Sequence, residues 1–161
     1  MNTWLYSVLM CFVACLAGCA EPEFSIPEGT HGERVKILRD LNVYQEPLFD
    51  TKGVYVLRSI EEYQQLCQVA NVPGNNAIFQ AVDFSSESVV IVARGMCDTS
   101  GYWTEIAGMA LSGDTLQVFS RSGSPVSELV YMVISYPKHA VVVPKLPASV
   151  EPTQIADESD T

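Results

Sequence analysis

The apolar positions of this chain keep a period of two over most of residues 54–145 and switch once to a helical period. Val54-Tyr55-Val56-Leu57 is a short β-rich run. Ser59-Ile60-Glu61-Glu62 follows with the form of a capping box, in which the serine hydroxyl accepts from the amide of Glu62 and the glutamate reaches back. Ile60, Tyr63, Leu66, Cys67 and Ala70 then recur at helical spacing, with Asn71, Pro73 and Gly74 as the stop. Cys67 falls on the inward stripe of that helix. Val89-Val90-Ile91-Val92 is apolar without alternation, the pattern of a central strand covered on both faces. Residues 102–111 and 115–120 flank Ser112-Gly113-Asp114 and predict a β-hairpin. Residues 129–136 and 140–143 predict two more strands around Pro137-Lys138, and residues 34–41 a further one. Short, closely spaced strands favour antiparallel pairing. The pattern predicts a mainly β (α+β) domain over residues 34–145, with antiparallel sheets forming a small sandwich or barrel and one packed helix.

Ahead of that domain, residues 4–18 form an almost unbroken apolar run. Fifteen residues fall short of the ~20 that a membrane span needs and suit the hydrophobic region of a signal peptide. The run ends Leu16-Ala17-Gly18-Cys19, which resembles the lipobox of bacterial lipoproteins. That resemblance implies cleavage before Cys19 and lipidation of its thiol. Residues 1–18 are then a signal peptide, and Cys11 and Cys15 leave with it. An uncleaved N-terminal anchor helix is the alternative, and Met1 to Trp4 carries no Lys or Arg. Either way the domain lies outside the cytoplasm. Ala20 stands where inner-membrane lipoproteins of Gram-negative cells tend to carry Asp, so the expected location is the cell envelope, lipid-anchored at the outer membrane and facing the periplasm.

The net charge of −10 belongs to the flanks. Residues 34–145 hold nine basic and eleven acidic side chains. Glu21, Glu23, Glu28 and Glu33 precede them, and Glu151, Asp157, Glu158 and Asp160 follow. Residues 19–33 are therefore expected to be a flexible acidic linker and residues 146–161 an acidic disordered tail, since such segments bury too little apolar surface to offset their ordering entropy. Acidic flanks argue against nucleic acid as a partner, because phosphate binding needs Lys and Arg. The two cysteines of the domain, Cys67 and Cys97, are expected to pair in an oxidising compartment, closing a loop worth ~3–4 kcal/mol. A reactive thiol pair is the competing reading, without CxxC spacing to support it.

Candidate chemistry is sparse. His31 lies in the expected linker, and His139 sits beside Pro137-Lys138 and reads as a solvated turn residue. The sequence has no G-x-S-x-G, H-E-x-x-H or phosphate-cradling glycine loop, and no Cys/His cluster at zinc spacing. The expectation is a protein that is not an enzyme and uses no metal or cofactor. The more unusual stretch joins the buried strand to the hairpin: Gly95-Met96-Cys97-Asp98-Thr99-Ser100-Gly101-Tyr102-Trp103. Gly101 permits positive φ. Tyr102 and Trp103 should point to opposite faces, one inward and one outward. The bland reading is a tight turn with an aromatic plug. The sharper one is a rigid partner-binding loop of Asp98, Thr99, Ser100, Gly101, Tyr102 and Trp103, since a pinned loop loses little entropy on docking and exposed aromatics anchor interfaces.

The order of motifs resembles the PrcB-type C-terminal domain. The resemblance rests on "VDFSSESVVIVARG" at 82–95, "TSGYW" at 99–103 and "YPKHAVVVPK" at 136–145. Asp83 and Phe84 match that family's Asp-Phe pair, Gly95 its strand-end glycine, and Thr99, Gly101 and Tyr102 its turn. Ser100 departs from the usual glycine pair. The family includes a lipoprotein subunit of a spirochaete surface protease complex, which binds and stabilises the protease. The resemblance therefore implies a non-catalytic, lipid-anchored protein-binding module, an accessory or stabilising subunit of an envelope protease complex. The alternatives are a structural envelope lipoprotein and a protease inhibitor acting through residues 97–103, because a Thr-x-Gly-Tyr turn in a β fold is also similar to the chagasin-type cysteine protease inhibitors.

Overall fold

Val89, Val90, Ile91 and Val92 are all fully buried. Adjacent residues of a strand point to opposite faces, so their strand needs cover on both sides. A computed structural model, which describes residues 30–43, 49, 51–74, 76–125 and 130–156, shows how that cover is built. In chain order the elements are β1 (Glu33–Arg34), β2 (Arg39–Leu41), β3 (Gly53–Leu57), α1 (Ile60–Val69), α2 (Ala77–Gln80), β4 (Glu87–Ala93), β5 (Trp103–Ser112), β6 (Thr115–Gly123), β7 (Lys138–Pro144) and β8 (Glu151–Ala156).

Strand β4 pairs antiparallel with β7, with Val89 opposite Val142 and Ile91 opposite Ala140. Strands β3 and β2 flank this pair and complete an antiparallel sheet of order β2-β7-β4-β3. Val89, Ile91, Ala93, Ala140 and Val142 face one core with Phe49, Tyr63, Cys67 and Phe79. Val90, Val92, Val141 and Val143 face another with Ile106, Met109, Leu116 and Val118 of a second sheet, β1-β5-β6-β8. The domain is thus three layers deep: helices, central sheet, outer sheet. The structure is mainly β with two packed sheets and no closed barrel. The expected antiparallel sandwich is found, with one addition: β8 joins β6 in parallel.

Helix α1 starts and stops on local chemistry. The Ser59 hydroxyl accepts from the Glu62 amide at 3.2 Å, and the Glu62 carboxylate accepts from the Arg58 amide at 2.5 Å, one residue further back than the capping box predicts. At the other end Asn71 takes φ 54°, and the amides of Asn71 and Val72 bond Gln68 and Cys67 carbonyls. This is a Schellman cap with asparagine in the left-handed position. The sequence pattern omitted α2, a single turn capped by Asn76. Its Phe79 stacks on Tyr63 at 4.2 Å between ring centres.

The hairpin β5–β6 carries a β-bulge between Ile106 and Gly108. Before it, Thr104 and Ile106 are buried; after it, Met109 is. The extra residue, Ala107, shifts the alternation by one, so Ile106 lies opposite Ser120 and Met109 opposite Val118 without turning an apolar side chain to solvent. The residues expected as one strand at 34–41 instead cross between the sheets. Strand β1 pairs with β5 and β2 with β7, while Val35 and Ile37 fill the inter-sheet core on the way.

Four expectations are corrected. Cys67 and Cys97 are both free thiols. Cys67 is buried on α1 in the helix-side core, whereas Cys97 lies beyond the end of β4, where its backbone pairs with Ser135. Residues 130–134 form no strand, because β7 occupies the place beside β4 and begins only at Lys138. His139 is not a solvated turn residue: it lies in β7, where Nδ1 accepts from the Ile106 amide at the bulge at 2.9 Å. Finally, residues 146–156 are ordered. Leu146 and Val150 are buried in the inter-sheet core, and Arg58 donates from Nε to the Pro147 carbonyl at 3.0 Å and from its guanidinium to that of Val150. The polar composition misled here because β8 is held by main-chain pairing with β6 from Thr115 to Ser120. The leader, Cys19 and most of the acidic linker lie outside the described residues, and Glu33 at the linker's end already pairs with Leu111.

Ending the chain at Lys145 is expected to cost about 3–5 kcal/mol, from the loss of two buried aliphatic side chains and an edge strand. Urea unfolding of the shortened and full chains measures this; an unchanged midpoint would show residues 146–156 to be dispensable.

Candidate functional site

The site is built where β4 ends. The Arg94 amide donates to the Pro137 carbonyl at 2.9 Å, and Gly95 takes φ 87° and turns the chain out of the sheet. Cys97 then pairs with Ser135 through two backbone bonds of 2.9 and 3.0 Å. The Ser135 hydroxyl donates to the Thr99 carbonyl at 2.6 Å. The Ser100 amide donates to the Tyr131 carbonyl, and the Ser100 hydroxyl accepts from the Tyr131 amide, both at 3.0 Å. Residues 95–102 and 131–137 are therefore laced together by main-chain and serine bonds, each worth ~1 kcal/mol net.

A third loop closes the site. Gly101, at φ 91°, lies so close to Pro125 that a Cβ there would sit 3.0 Å from the ring. Trp103 opens β5 opposite Gly123, and a Cβ on Gly123 would come within 2.3 Å of the indole nitrogen. The indole therefore occupies the space that a side chain at residue 123 would need. Tyr102 is half-buried with the Arg94 guanidinium 4.9 Å above its ring, a cation–π contact of ~0.5–1 kcal/mol. Of the expected split of the two aromatics, the outward member is Trp103, whereas Tyr102 precedes β5 and stays half-buried against Arg94 outside both core clusters.

The six residues singled out from the sequence thus divide by role. Thr99, Ser100 and Gly101 shape the loop, Tyr102 braces it, and Asp98 and Trp103 face solvent. The sequence reading missed the neighbours. Tyr131, Met132, Val133 and Ile134 are 81, 86, 52 and 58% exposed, Met96 is 64% and Trp103 44%. Four consecutive large apolar residues looked like a buried strand. The signal against that reading was Pro137 close behind them, in a sheet whose central pair was already supplied by residues 89–92 and 140–143.

The arrangement offers contact area more than reactive groups. Among the described residues no group of three His, Cys, Asp or Glu side chains could hold a metal. His139 is engaged at the bulge through Nδ1, with Nε2 3.7 Å from Asp40.

The remaining motif residues hold the entry to β4. The Asp83 carboxylate accepts from the Ser85 amide at 3.1 Å and from the Ser85 and Ser86 hydroxyls at 2.5 and 2.8 Å. These bonds hold its pKa below the ordinary carboxylate range. Glu87 is likewise lowered, chiefly by its paired bonds to Arg39 at 2.5 and 2.8 Å. Phe84 packs on the helix-side core, and Lys145 donates to the Phe84 and Arg58 carbonyls.

Fold and loop cluster together define a β-sandwich module that presents an apolar, multi-loop surface. Residues 88–144 match the family model described as PrcB C-terminal. The match runs from β4 through β7 and takes in the loops of the site, so the chain contains a PrcB-like domain. No curated protein and no solved structure matches the chain.

Because Glu87 and Asp83 titrate lower when folded, their stabilisation is complete above the ordinary carboxylate value and disappears as pH falls through the lowered native values. The melting temperature should therefore hold steady down to about pH 4.5, the ordinary value for Glu87, and decline below it. Glu87→Gln should melt lower at neutral pH and show a shallower acid limb in thermal scans. An acid limb identical to wild type would remove the ion pair from the account.

Proposed function

We propose that this protein is a lipid-anchored, extracytoplasmic and non-catalytic binding module, an accessory or stabilising subunit of an envelope protease complex. The observation that carries the reading is the group of exposed apolar side chains Met96, Trp103 and residues 131–134, presented at the same end of β4 and β7 by a hydrogen-bonded loop pair. Exposed apolar patches of this kind mark interaction sites. Aromatic and methionine side chains are enriched at the centres of interfaces, and a loop ordered in advance loses little entropy on docking. The match to the PrcB C-terminal family supports a protease complex as the setting. The lipobox-like Leu16-Ala17-Gly18-Cys19 supports a lipid tether.

Affinity capture of the tagged chain from its own envelope, with mass spectrometry, is expected to recover a protease. Trp103→Ala, or Tyr131→Ser with Met132→Ser, should weaken binding of the recovered partner by ~30-fold or more, the loss of one interface anchor of ~2 kcal/mol. Full retention by both variants would remove the loops as the docking surface. Metabolic labelling with a fatty-acid probe should mark the wild-type chain and leave Cys19→Ser unmarked; equal labelling of both would place the lipid elsewhere.

A further inference from the structure

Met96, Met109 and Met132 are the methionines beyond residue 18, and the fold treats them differently. Met109 is fully buried in the inter-sheet core. Met96 and Met132 are 64 and 86% exposed. Met96 precedes Cys97, whose backbone pairs with Ser135, and Met132 follows Tyr131, whose backbone bonds Ser100. Both exposed thioethers therefore stand on the loop pair to which the docking reading assigns the partner.

A methionine there has a chemistry that leucine or valine lacks. Its thioether is polarisable and adapts to irregular partner surfaces, but its sulfur reacts with oxidants. We propose that Met96 and Met132 are modification sites at which a hydroperoxide blocks docking, an inference that rests on the loop surface being the docking site. The sulfur lone pair attacks the terminal peroxide oxygen and the O–O bond breaks. The leaving oxygen keeps its substituent, takes the proton and departs as an alcohol, or as water when the oxidant is hydrogen peroxide. Each sulfur gains one oxygen and loses two electrons to the peroxide.

The product is a sulfoxide, polar and chiral. Its oxygen must keep water or find a donor when a partner closes over it, so a surface suited to a thioether loses affinity. The fold is indifferent to the change. The bonds that lace the loops run between backbone groups and serine hydroxyls, and neither exposed methionine belongs to a core cluster. Met109 is shielded by the packed sheets. The free thiol of Cys97 is half-buried and is the competing target for peroxide in this region. Methionine sulfoxide, unlike the higher oxides of cysteine, is returned by sulfoxide reductases, one enzyme for each epimer. There a dithiol supplies two electrons and two protons, and the oxygen leaves as water.

The test treats the full chain with dilute hydrogen peroxide and maps the products by peptide mass spectrometry. Met96 and Met132 should each gain one oxygen well before Met109 does. Binding of the partner recovered by affinity capture should fall by about tenfold or more on oxidation. It should return with the two sulfoxide reductases and dithiothreitol, and not with dithiothreitol alone, which reverses a sulfenic acid or disulfide at Cys97. Met96→Leu with Met132→Leu, compared with itself, should bind equally before and after peroxide. In the preformed complex both methionines should oxidise more slowly than in the free chain. The inference is overturned by equal oxidation of Met109, by undiminished binding of the doubly oxidised chain, by recovery with dithiothreitol alone, or by peroxide weakening the leucine variant as much as wild type. Failure of the docking reading looks different: Trp103→Ala retains the partner and the complex protects neither methionine, a result that removes the inference as well.

Discussion

The pairing of β4 with β7 is the constraint on which the rest of the structure depends. Two adjacent strands with apolar side chains on both faces cannot be stable as one wall of a two-layer fold. They require a layer above and a layer below. The helices supply one through Tyr63, Cys67 and Phe79, and the β5–β6 hairpin supplies the other through Ile106, Met109, Leu116 and Val118. A slip of one residue in the β4–β7 register would exchange the two faces and set helix-side residues against the hairpin. The register is pinned at its entry by the Asp83 turn, the Arg39–Glu87 pair across the sheet and Lys145. The ion pair is partly open to solvent, so its value lies more in fixing position than in energy.

A second constraint links the layers directly. The bulge at Ala107 keeps the hairpin's apolar side inward but frees the Ile106 amide from regular pairing, and His139 of the central sheet takes that amide through Nδ1. An unpaired amide between packed sheets would cost about 1–3 kcal/mol. Histidine here is therefore a structural acceptor, required in the tautomer that leaves Nδ1 unprotonated. Its place beside Pro137-Lys138 gave no hint of this role, because the partner is an amide thirty-three residues away whose availability depends on a bulge.

What was legible in the sequence was whatever depends on near neighbours. The cap of α1 at Ser59 and Glu62, the stop at Asn71, the hairpin around Gly113 and the doubly buried run at 89–92 all follow from contacts within a few residues or from period alone. What was not legible depends on partners chosen across the fold. Residues 34–41 look like one strand and serve two sheets. Residues 131–134 look like a core strand, but β4 already has β7. The polar stretch 151–156 looks disordered and is held by main-chain pairing, which composition does not report. Of the site, the turn glycine Gly101 and the exposure of one of the two aromatics could be read. The exposed apolar residues 131–134 could not, since Ser100 and Ser135 tie their segment to the loop after β4 through bonds spanning more than thirty residues.

Residues 95–102 and 131–137 bond one another's backbone at several points, so a partner docking there gains chiefly by burying side-chain area on a surface already ordered, and it suits a folded body with a complementary face. Nothing in the central pair has to move for this, because the loops extend from the ends of β4 and β7, where the Arg94 amide and the Pro137 carbonyl tie the two exits together.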